Sequence, residues 1–416
     1  MKFRTLAVLV VLAAVLIVWS VRSVRETQDS NPALGANIFP ALDINRVHQI
    51  AIATTNRSLS LVKKDGQWRV AERFHYPAAF EKIVDLLVEL EGMKVGQVLP
   101  ADASQKTALN LADPSEPETK GTGTRLELRD EHSGLLAALM VGKPFLRQSP
   151  GGAQGPLGFG DYPDGRYLDT GDGRILLTSS SLDALRDDPK EWLDTDFINV
   201  PASDIAEIAV TGPGREPIRL SRPDEQKPFV LDGLLEEEGT LDSAKADRLG
   251  GALNYLAFDD VADPALPPKD TGLDAPVVFE AGTRDGRRYT LRVGKAVGAD
   301  SLDRYVKAEL SWTAPAGAAT NAAEPAATNA PPAAPDPDKP SEANTAALNE
   351  KLSPWIYILK SYRAEPLLMA RGELIKKPEP PKEDKPPEAD APKPAPAPAP
   401  KPPTPPPAAA EPAKSP

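Results

Sequence analysis

Apolar and polar residues alternate along short stretches of the chain, with the period of half-buried β-strands. The first stretch is Val47 to Ile52, and Lys64-Asp65-Gly66 further on supplies a hairpin turn. Strand patterns return at Arg125 to Arg129 and at Leu135 to Val141. The pattern therefore predicts an antiparallel sheet interrupted after its first strands.

The interruption has the spacing of an amphipathic helix that covers one face of the sheet. Its apolar stripe consists of Phe80, Ile83, Val84, Leu87 and Leu90. Pro77 is compatible with a first helical turn, and Gly92 ends the pattern. Later, Ser180 with Asp183 predicts a helix cap before Leu182 and Leu185.

The same order of predicted elements occurs twice along the chain. Val47 to Ile52 returns as Ile205 to Val210, and Leu139-Met140-Val141-Gly142-Lys143 returns as Leu291-Arg292-Val293-Gly294-Lys295. This spacing is domain-sized, so it indicates duplication of a whole fold and not a solenoid. The predicted fold class is α+β, with two tandem repeats of an antiparallel sheet covered by helices. The repeats span residues 36–200 and 201–372 and follow one N-terminal transmembrane helix.

The two predicted copies differ at a corner before their later strands. Gly272 occupies the corner of the second copy, whereas Asn110 stands at the first. A left-handed turn tolerates asparagine as well as glycine, so we expect the same backbone at both. An equivalence between Trp192 and Trp355 is also predicted, because each lies beside a proline near the end of its copy.

Residues 1–25 predict a membrane anchor. Lys2 and Arg4 precede an uncharged apolar run from Thr5 to Val21, which is about long enough to span a hydrocarbon core of roughly 30 Å. A cleaved signal peptide and a buried core helix are the alternatives, but the run is long for a signal peptide and shows no helical periodicity. With an inside amino terminus, the protein is a single-pass bacterial inner-membrane protein whose bulk is periplasmic.

Composition identifies two further segments. Of 46 prolines in 416 residues, many fall in 373–416, which predicts a Pro-rich disordered tail. A low-complexity insertion at about 314–347 is predicted to be a disordered loop. The net charge of -12 argues against nucleic acid as a partner, and the absence of cysteine excludes disulfides and thiolate metal sites.

No residue pattern predicts a catalytic, cofactor-binding or metal-binding site. His48, His75 and His132 fall in separate elements, and the glycines of 151–160 lack the lysine of a phosphate-binding loop. The aspartates at 161, 164, 169 and 172 fail the calcium-loop spacing. The pairs Asp187-Asp188 and Asp259-Asp260, like the run Glu236-Glu237-Glu238, would act in hydrolysis only if the fold brought carboxylates together.

Trp192 and Trp355 are the candidate interaction residues. Repeated aromatic positions can form a surface that binds a glycan or peptide, although core packing explains the same repetition. The sequence leaves both interpretations open.

Several motifs together resemble the bacterial domain-of-unknown-function 4340 family. They are Ile38-Phe39-Pro40, Asp65-Gly66-Gln67-Trp68-Arg69-Val70, Tyr76-Pro77-Ala78, Gly272-Leu273 and the strand-ending Val-Gly-Lys. The resemblance implies a membrane-anchored envelope protein encoded beside ABC-type transporters of the gliding-motility kind. It implies no catalytic residues.

The predicted function is that of a membrane-anchored extracytoplasmic binding or scaffold protein, and not of an enzyme. On the resemblance, it serves an ABC-type transport or gliding-motility-like envelope complex, with a permease and an ATPase as partners. The alternative is a cell-envelope hydrolase or glycan-binding protein with a site between the repeats.

Overall fold

The computed structural model describes residues 34–116, 120–147, 162–314 and 341–377. The predicted anchor at 1–25 and the glycines of 151–160 lie outside these residues. The described residues up to Lys376 form one compact unit that contains two large antiparallel sheets. Below, residues 34–200 are called the first half and residues 201–377 the second half.

The described residues of the first half form one sheet and two α-helices. Its strands are β1 Gln49–Ala53, β2 Ser58–Lys64, β3 Gln67–Val70, β4 Tyr76–Pro77, β5 Gln97–Pro100, β6 Thr124–Arg129, β7 Leu135–Arg147, β8 Tyr162–Asp169 and β9 Arg174–Thr178. Its α-helices are α1 Phe80–Gly92 and α2 Ala103–Ala108. The strand order is β4-β3-β2-β1-β6-β7-β8-β9-β5.

The second half contains the other large sheet, a two-stranded pair and four short helices among its described residues. Its strands are β10 Ile205–Thr211, β11 Ile218–Ser221, β12 Val230–Leu231, β13 Thr240–Leu241, β14 Asp260–Ala262, β15 Val277–Thr283, β16 Arg287–Ala296, β17 Arg304–Trp312, β18 Ile356–Leu359 and β19 Ile375–Lys376. Its α-helices are α3 Ser243–Gly250, α4 Pro268–Thr271, α5 Glu342–Leu352 and α6 Ser361–Ala364. The large sheet has the order β12-β11-β10-β15-β16-β17-β18-β14, and β13 pairs with β19.

The two large sheets share one strand order. In each, a three-stranded meander leads into a helix, and the strand after the helix crosses to the far edge, β5 beside β9 and β14 beside β18. The remaining strands fill the middle in sequence. Strand β4 has no counterpart in the second sheet. The predicted boundary between residues 200 and 201 falls between the two sheets.

Cross-strand packing repeats with the strand order. Ile50 on β1 lies opposite Leu61 on one side and Leu128 on the other. Ile208 on β10 lies between Leu220 and Ala281 in the same way. All six of these side chains are buried, as period-2 alternation predicts for the inner face of a sheet.

The Val-Gly-Lys motif has a steric explanation. A Cβ at Gly142 would collide with the carbonyl oxygen of Leu109, and one at Gly294 would collide with that of Thr271, because each strand end passes directly over the corner of its half. The corners have the predicted left-handed backbone, with φ of 56° at Asn110 and 71° at Gly272. Asparagine therefore replaces glycine at the first corner without changing the turn.

Some local predictions are confirmed and others are wrong. The turn between β2 and β3 consists of Asp65 and Gly66, both with positive φ, as predicted for a two-residue hairpin. The prediction that Pro77 lies in a first helical turn is wrong, because Pro77 lies in edge strand β4. An edge strand tolerates the missing N–H of proline. Ser180 caps no helix. Its hydroxyl instead hydrogen-bonds the Glu89 carboxylate, which also accepts the Leu182 N–H, so the segment forms a turn against α1.

Two segment predictions need correction. The predicted end of the disordered insertion, residue 347, is wrong, because helix α5 already begins at Glu342 and is capped by Ser341. Ile375 and Lys376, placed in the predicted tail, pair with β13. No helix within the described ranges is long and apolar enough to cross a membrane.

Candidate functional site at the seam

Aromatic rings from both halves meet where the halves touch, a region called the seam from here on. Tyr76 of β4 packs edge-on against Phe258 at 5.3 Å and against Trp355 at 4.9 Å between ring centroids. Phe197 and Tyr357 continue the cluster at 4.2 Å. Such pairs contribute about 0.5–1.5 kcal/mol each beyond their buried area, so the cluster joins the halves strongly.

The hydroxyl groups of this cluster are satisfied inside it. Tyr357 donates a hydrogen bond to the carbonyl oxygen of Leu352 at 3.1 Å. Burial raises the pKa of both Tyr76 and Tyr357 above the ordinary tyrosine value. Both phenols therefore stay neutral, as a packing role requires.

Ion pairs cross the seam beside the aromatic cluster. The Arg73 guanidinium lies 2.6 Å from the Asp260 carboxylate, and the Lys190 ammonium lies 3.2 Å from Asp259 and 3.6 Å from Asp260. Within the second half, Lys360 contacts Asp259 at 3.2 Å and Asp303 at 3.0 Å. The two aspartates are thus shared among three cations.

These contacts set the charge state of the network. Burial raises the pKa of the Asp259 carboxyl, but hydrogen bonds and charge from Lys190 and Lys360 outweigh it and lower the pKa overall. Hydrogen bonds to Asp303 and Asp259 raise the pKa of Lys360. Asp259 and Lys360 therefore remain ionised and paired at neutral pH, which is the behaviour of a structural ion pair and not of a proton donor.

The other predicted carboxylate pair makes separate contacts. The Asp187 and Asp188 carboxylates lie 3.7 and 3.3 Å from the Arg57 guanidinium. Asp188 also accepts a hydrogen bond from the backbone N–H of Lys190. The cations that bind Asp259 and Asp260 therefore differ from the arginine that neutralises this pair. Glu238, from the predicted acidic run, lies 3.6 Å from Arg371. Both aspartate pairs and Glu238 therefore have cationic partners.

The remaining candidates also have structural partners. Asp169 contacts Lys106 at 2.6 Å, Asp172 contacts Arg174 at 2.5 Å, and Asp164 pairs with Arg147. His48 extends the pairing of β1, since its N–H donates to the carbonyl of Arg129 and its carbonyl accepts from Lys63, and His132 lies in the turn between β6 and β7. Across residues 34–377, with the gaps given above, no group of three or more potential ligands could hold a metal ion.

The two candidate tryptophans differ in their surroundings. Trp192 is 0 % exposed, and its indole N–H donates to the carbonyl of Arg186 at 3.0 Å, so it occupies a packing position. Trp355 is half-buried at the seam. Their predicted equivalence is wrong: Trp192 follows β9, whereas Trp355 precedes β18, the counterpart of β9. The adjacent prolines suggested an alignment that the strand order does not support.

Trp355 borders a cleft of about 640 Å³, called the seam cleft below. One wall comes from β3, β4 and the start of α1, and the other from the end of α5 and the residues after it. Its lining combines aromatic rings with charges of both signs. The principal residues are Gln67, Trp68, Arg69, Tyr76, Phe80, Asp194, Asp196, Glu350, Lys351 and Trp355.

Backbone pairing with β4 holds Asp194 in the cleft. The Asp194 N–H donates to the carbonyl of Pro77 at 3.0 Å, and the Ala79 N–H donates to that of Trp192 at 2.8 Å. Burial is the main cause that raises the pKa of the Asp194 carboxyl, and the negative charge of Asp196 adds to it. Sequence inspection missed Asp194, because a single aspartate in a connecting segment carries no periodic signal.

Phe80 was assigned to the wrong surface by its spacing. Ile83, Leu86, Leu87 and Leu90 of α1 are buried, but Phe80, the first residue of the helix, is 63 % exposed and faces the cleft. Apolar spacing predicts the buried face of a helix least well at its first residue, because the spacing does not determine where the helix begins.

The approach to β4 is strained. Phe74 and His75 have φ of 57° and 60°, two successive left-handed residues without a glycine. Such conformations cost on the order of 1 kcal/mol each and persist where surrounding contacts fix them. Arg73 and Tyr76, on either side, both contact the second half. Seam contacts therefore flank the strained turn.

The fold and seam define a two-sheet protein whose halves share one strand order and are joined by aromatic and ionic contacts. A family model described as "Domain of unknown function (DUF4340)" matches residues 68–276, half of the chain, and the protein belongs to this family. The family resemblance of the sequence motifs is thus confirmed. Comparisons with curated proteins and with solved structures gave no match.

Proposed function

We propose that the protein is a membrane-anchored extracytoplasmic binding or scaffold protein. In this role it is an accessory component of an ABC-type transport or gliding-motility-like envelope complex. The observation that carries the proposal is the seam, where Asp259 and Asp260 are bound by cations and so stabilise the contact between halves. A framework whose charges stabilise the fold suits a protein that holds others in place.

Further support comes from the sequence. The apolar run from Thr5 to Val21 has the length of a membrane span, and the envelope role is the one that the family resemblance implies. The equal strand order supports duplication of an ancestral sheet as the origin of the two halves. The hydrolase alternative has less support, because both aspartate pairs that it would use are ion-paired.

Purification of the tagged full-length protein from detergent-solubilised native membranes tests the proposed complex. We expect mass spectrometry to recover an ABC-type permease and its ATPase. A variant lacking residues 1–25 is the matched control and should recover neither. If the full-length chain consistently recovers no transporter subunit, the accessory role is wrong.

A reporter enzyme fused after Lys377 tests the topology. Activity of a reporter that works only outside the cytoplasm agrees with the proposed orientation. Activity of a reporter that works only inside the cytoplasm overturns it.

A further inference from the structure

The seam cleft presents aromatic surface that the fold leaves uncovered. Phe80 is 63 % exposed, although it opens a helix whose other large apolar residues are mostly buried. Across the cleft, Trp355 is half-buried, and its ring packs against Tyr76 in a T-shaped arrangement. Aromatic faces in a concave site bind ligands with flat apolar surfaces.

The polar groups around these rings include both donors and acceptors. Gln67, Arg69 and Lys351 supply N–H groups, while Asp194, Asp196 and Glu350 supply carboxylate oxygens. Arg69 uses part of its guanidinium on the carbonyl of His75 and on Gln67, which fixes its orientation. A ligand that fits must both donate and accept hydrogen bonds.

This combination discriminates among ligand classes. A polyanion such as nucleic acid would be repelled by the three carboxylates, and a purely apolar ligand would leave the charged groups desolvated. A sugar ring has an apolar C–H face for stacking and hydroxyls that donate and accept at its rim. The volume, about 640 Å³, lies within the range of roughly 300–1,000 Å³ that small-ligand sites occupy.

We propose that the seam cleft binds an uncharged oligosaccharide, stacked on Phe80 and Trp355 and hydrogen-bonded by the charged residues between them. The proposal rests on the binding role proposed above, but not on the transporter partners. Asp194, held by backbone bonds to β4, accepts hydrogen bonds from sugar hydroxyls at the floor of the cleft, and Lys351 donates from the opposite wall.

The test begins with the full-length protein in detergent on an array of neutral and acidic oligosaccharides and a proline-rich peptide. Neutral probes, with chitotetraose and cellotetraose also titrated by calorimetry, should be retained in preference to the others. Phe80→Ala should weaken binding of the retained oligosaccharide at least five-fold. Val88→Ala is the matched control, since Val88 lies on the same helix, is 51 % exposed and does not line the cleft; it should bind like wild type.

Three results overturn the proposal: no neutral oligosaccharide binds the folded protein, binding is unchanged in both Phe80→Ala and Trp355→Phe, or the proline-rich peptide alone is retained. Because Phe80 is exposed, its alanine variant is expected to fold, which a melting curve checks. Recovery of transporter subunits by the same variant is scored separately. Failure of glycan binding is thereby distinguished from failure of the accessory role.

Discussion

The described residues of the two halves share eight equivalent strands, and two of the differences between the halves meet at the seam cleft. The first half adds edge strand β4, which the second lacks. The second half joins β17 to β18 through a long connection that contains α5, whereas four residues, 170–173, join β8 to β9. Strand β4 contributes to one wall of the cleft together with β3 and the start of α1, and the end of α5 contributes to the other. The shared strands build the framework, and the unshared elements complete the candidate site.

The comparison also separates two kinds of residue. Gly142 and Gly294 occupy equivalent positions in the two halves, because in each half the same strand end crosses the same corner. Tyr76 lies on β4, which has no counterpart, Trp355 ends the long connection to β18, and Phe80 lines the cleft between them. Changes at the first kind should affect the halves equally, and changes at the second should affect only the seam or its ligand.

The largest effect is expected for Tyr76→Ala. Tyr76 is 5 % exposed and contacts three aromatic rings of the second half, so its loss should lower the free energy of unfolding by about 3–5 kcal/mol. Urea denaturation followed by circular dichroism measures this. Tyr362→Ala, at a tyrosine that is 63 % exposed, should change stability by no more than about 0.5 kcal/mol. Equal effects of the two variants would remove the seam as a major source of stability.

The equivalence of the halves predicts matched effects of Gly142→Ala and Gly294→Ala. Each added methyl group meets a corner carbonyl, so each variant should lose about 1–3 kcal/mol in the same denaturation assay. Gly92→Ala is the control, because a methyl group added at Gly92 would have no other atom within 4 Å. A large loss for only one of the two strand-end glycines would break the comparison.

Asp259→Asn should destabilise the protein by about 1–2 kcal/mol at pH 7, because two lysines lose a charged hydrogen-bond acceptor. The folded-state pKa of Asp259 is lowered, so its contribution is fully present above the ordinary value of about 3.9 and is lost as pH falls through the folded value. The difference from wild type should therefore vanish in acid. Melting curves from pH 7 to 3 measure it.

The control for that variant is Asp187→Asn, which alters a carboxylate that is 48 % exposed in a pair 3.7 Å long. It should leave stability nearly unchanged. A loss equal to that of Asp259→Asn would mean that surface charge, and not the seam network, determines the result.

The smallest expected effect has the opposite sign. Burial raises the folded-state pKa of Asp194, so its ionised form opposes folding above that pKa and the cost disappears as pH falls through it. Asp194→Asn should stabilise the protein at pH 7 by about 0.5 kcal/mol, since solvent screens a half-exposed group. The gain should shrink towards pH 4 in melting curves. A variant that is less stable than wild type at pH 7 would show that the carboxylate stabilises the fold.

The sequence predicted the framework better than the site. Alternation predicts strands because one sheet face is buried, and the repeated Val-Gly-Lys predicts a repeated crossing. Short strands such as β5 and β14 escape detection, since four or three residues contain too little alternation. The cleft escapes altogether: Phe80 looks like a core position, and Asp194 is held in the cleft by its backbone bond to Pro77, more than 100 residues away in sequence.

The strained turn at Phe74 and His75 has a consequence for synthesis of the chain. A ribosome releases the first half before Phe258, Trp355 and Tyr357 exist. The nascent first half can pair its central strands, but Arg73 and Tyr76 then lack their later partners, and the two left-handed residues have little to offset their strain. Strand β4 should accordingly settle last. A translational pause before residue 355 would leave this edge open, and the growing chain would depend on a chaperone there.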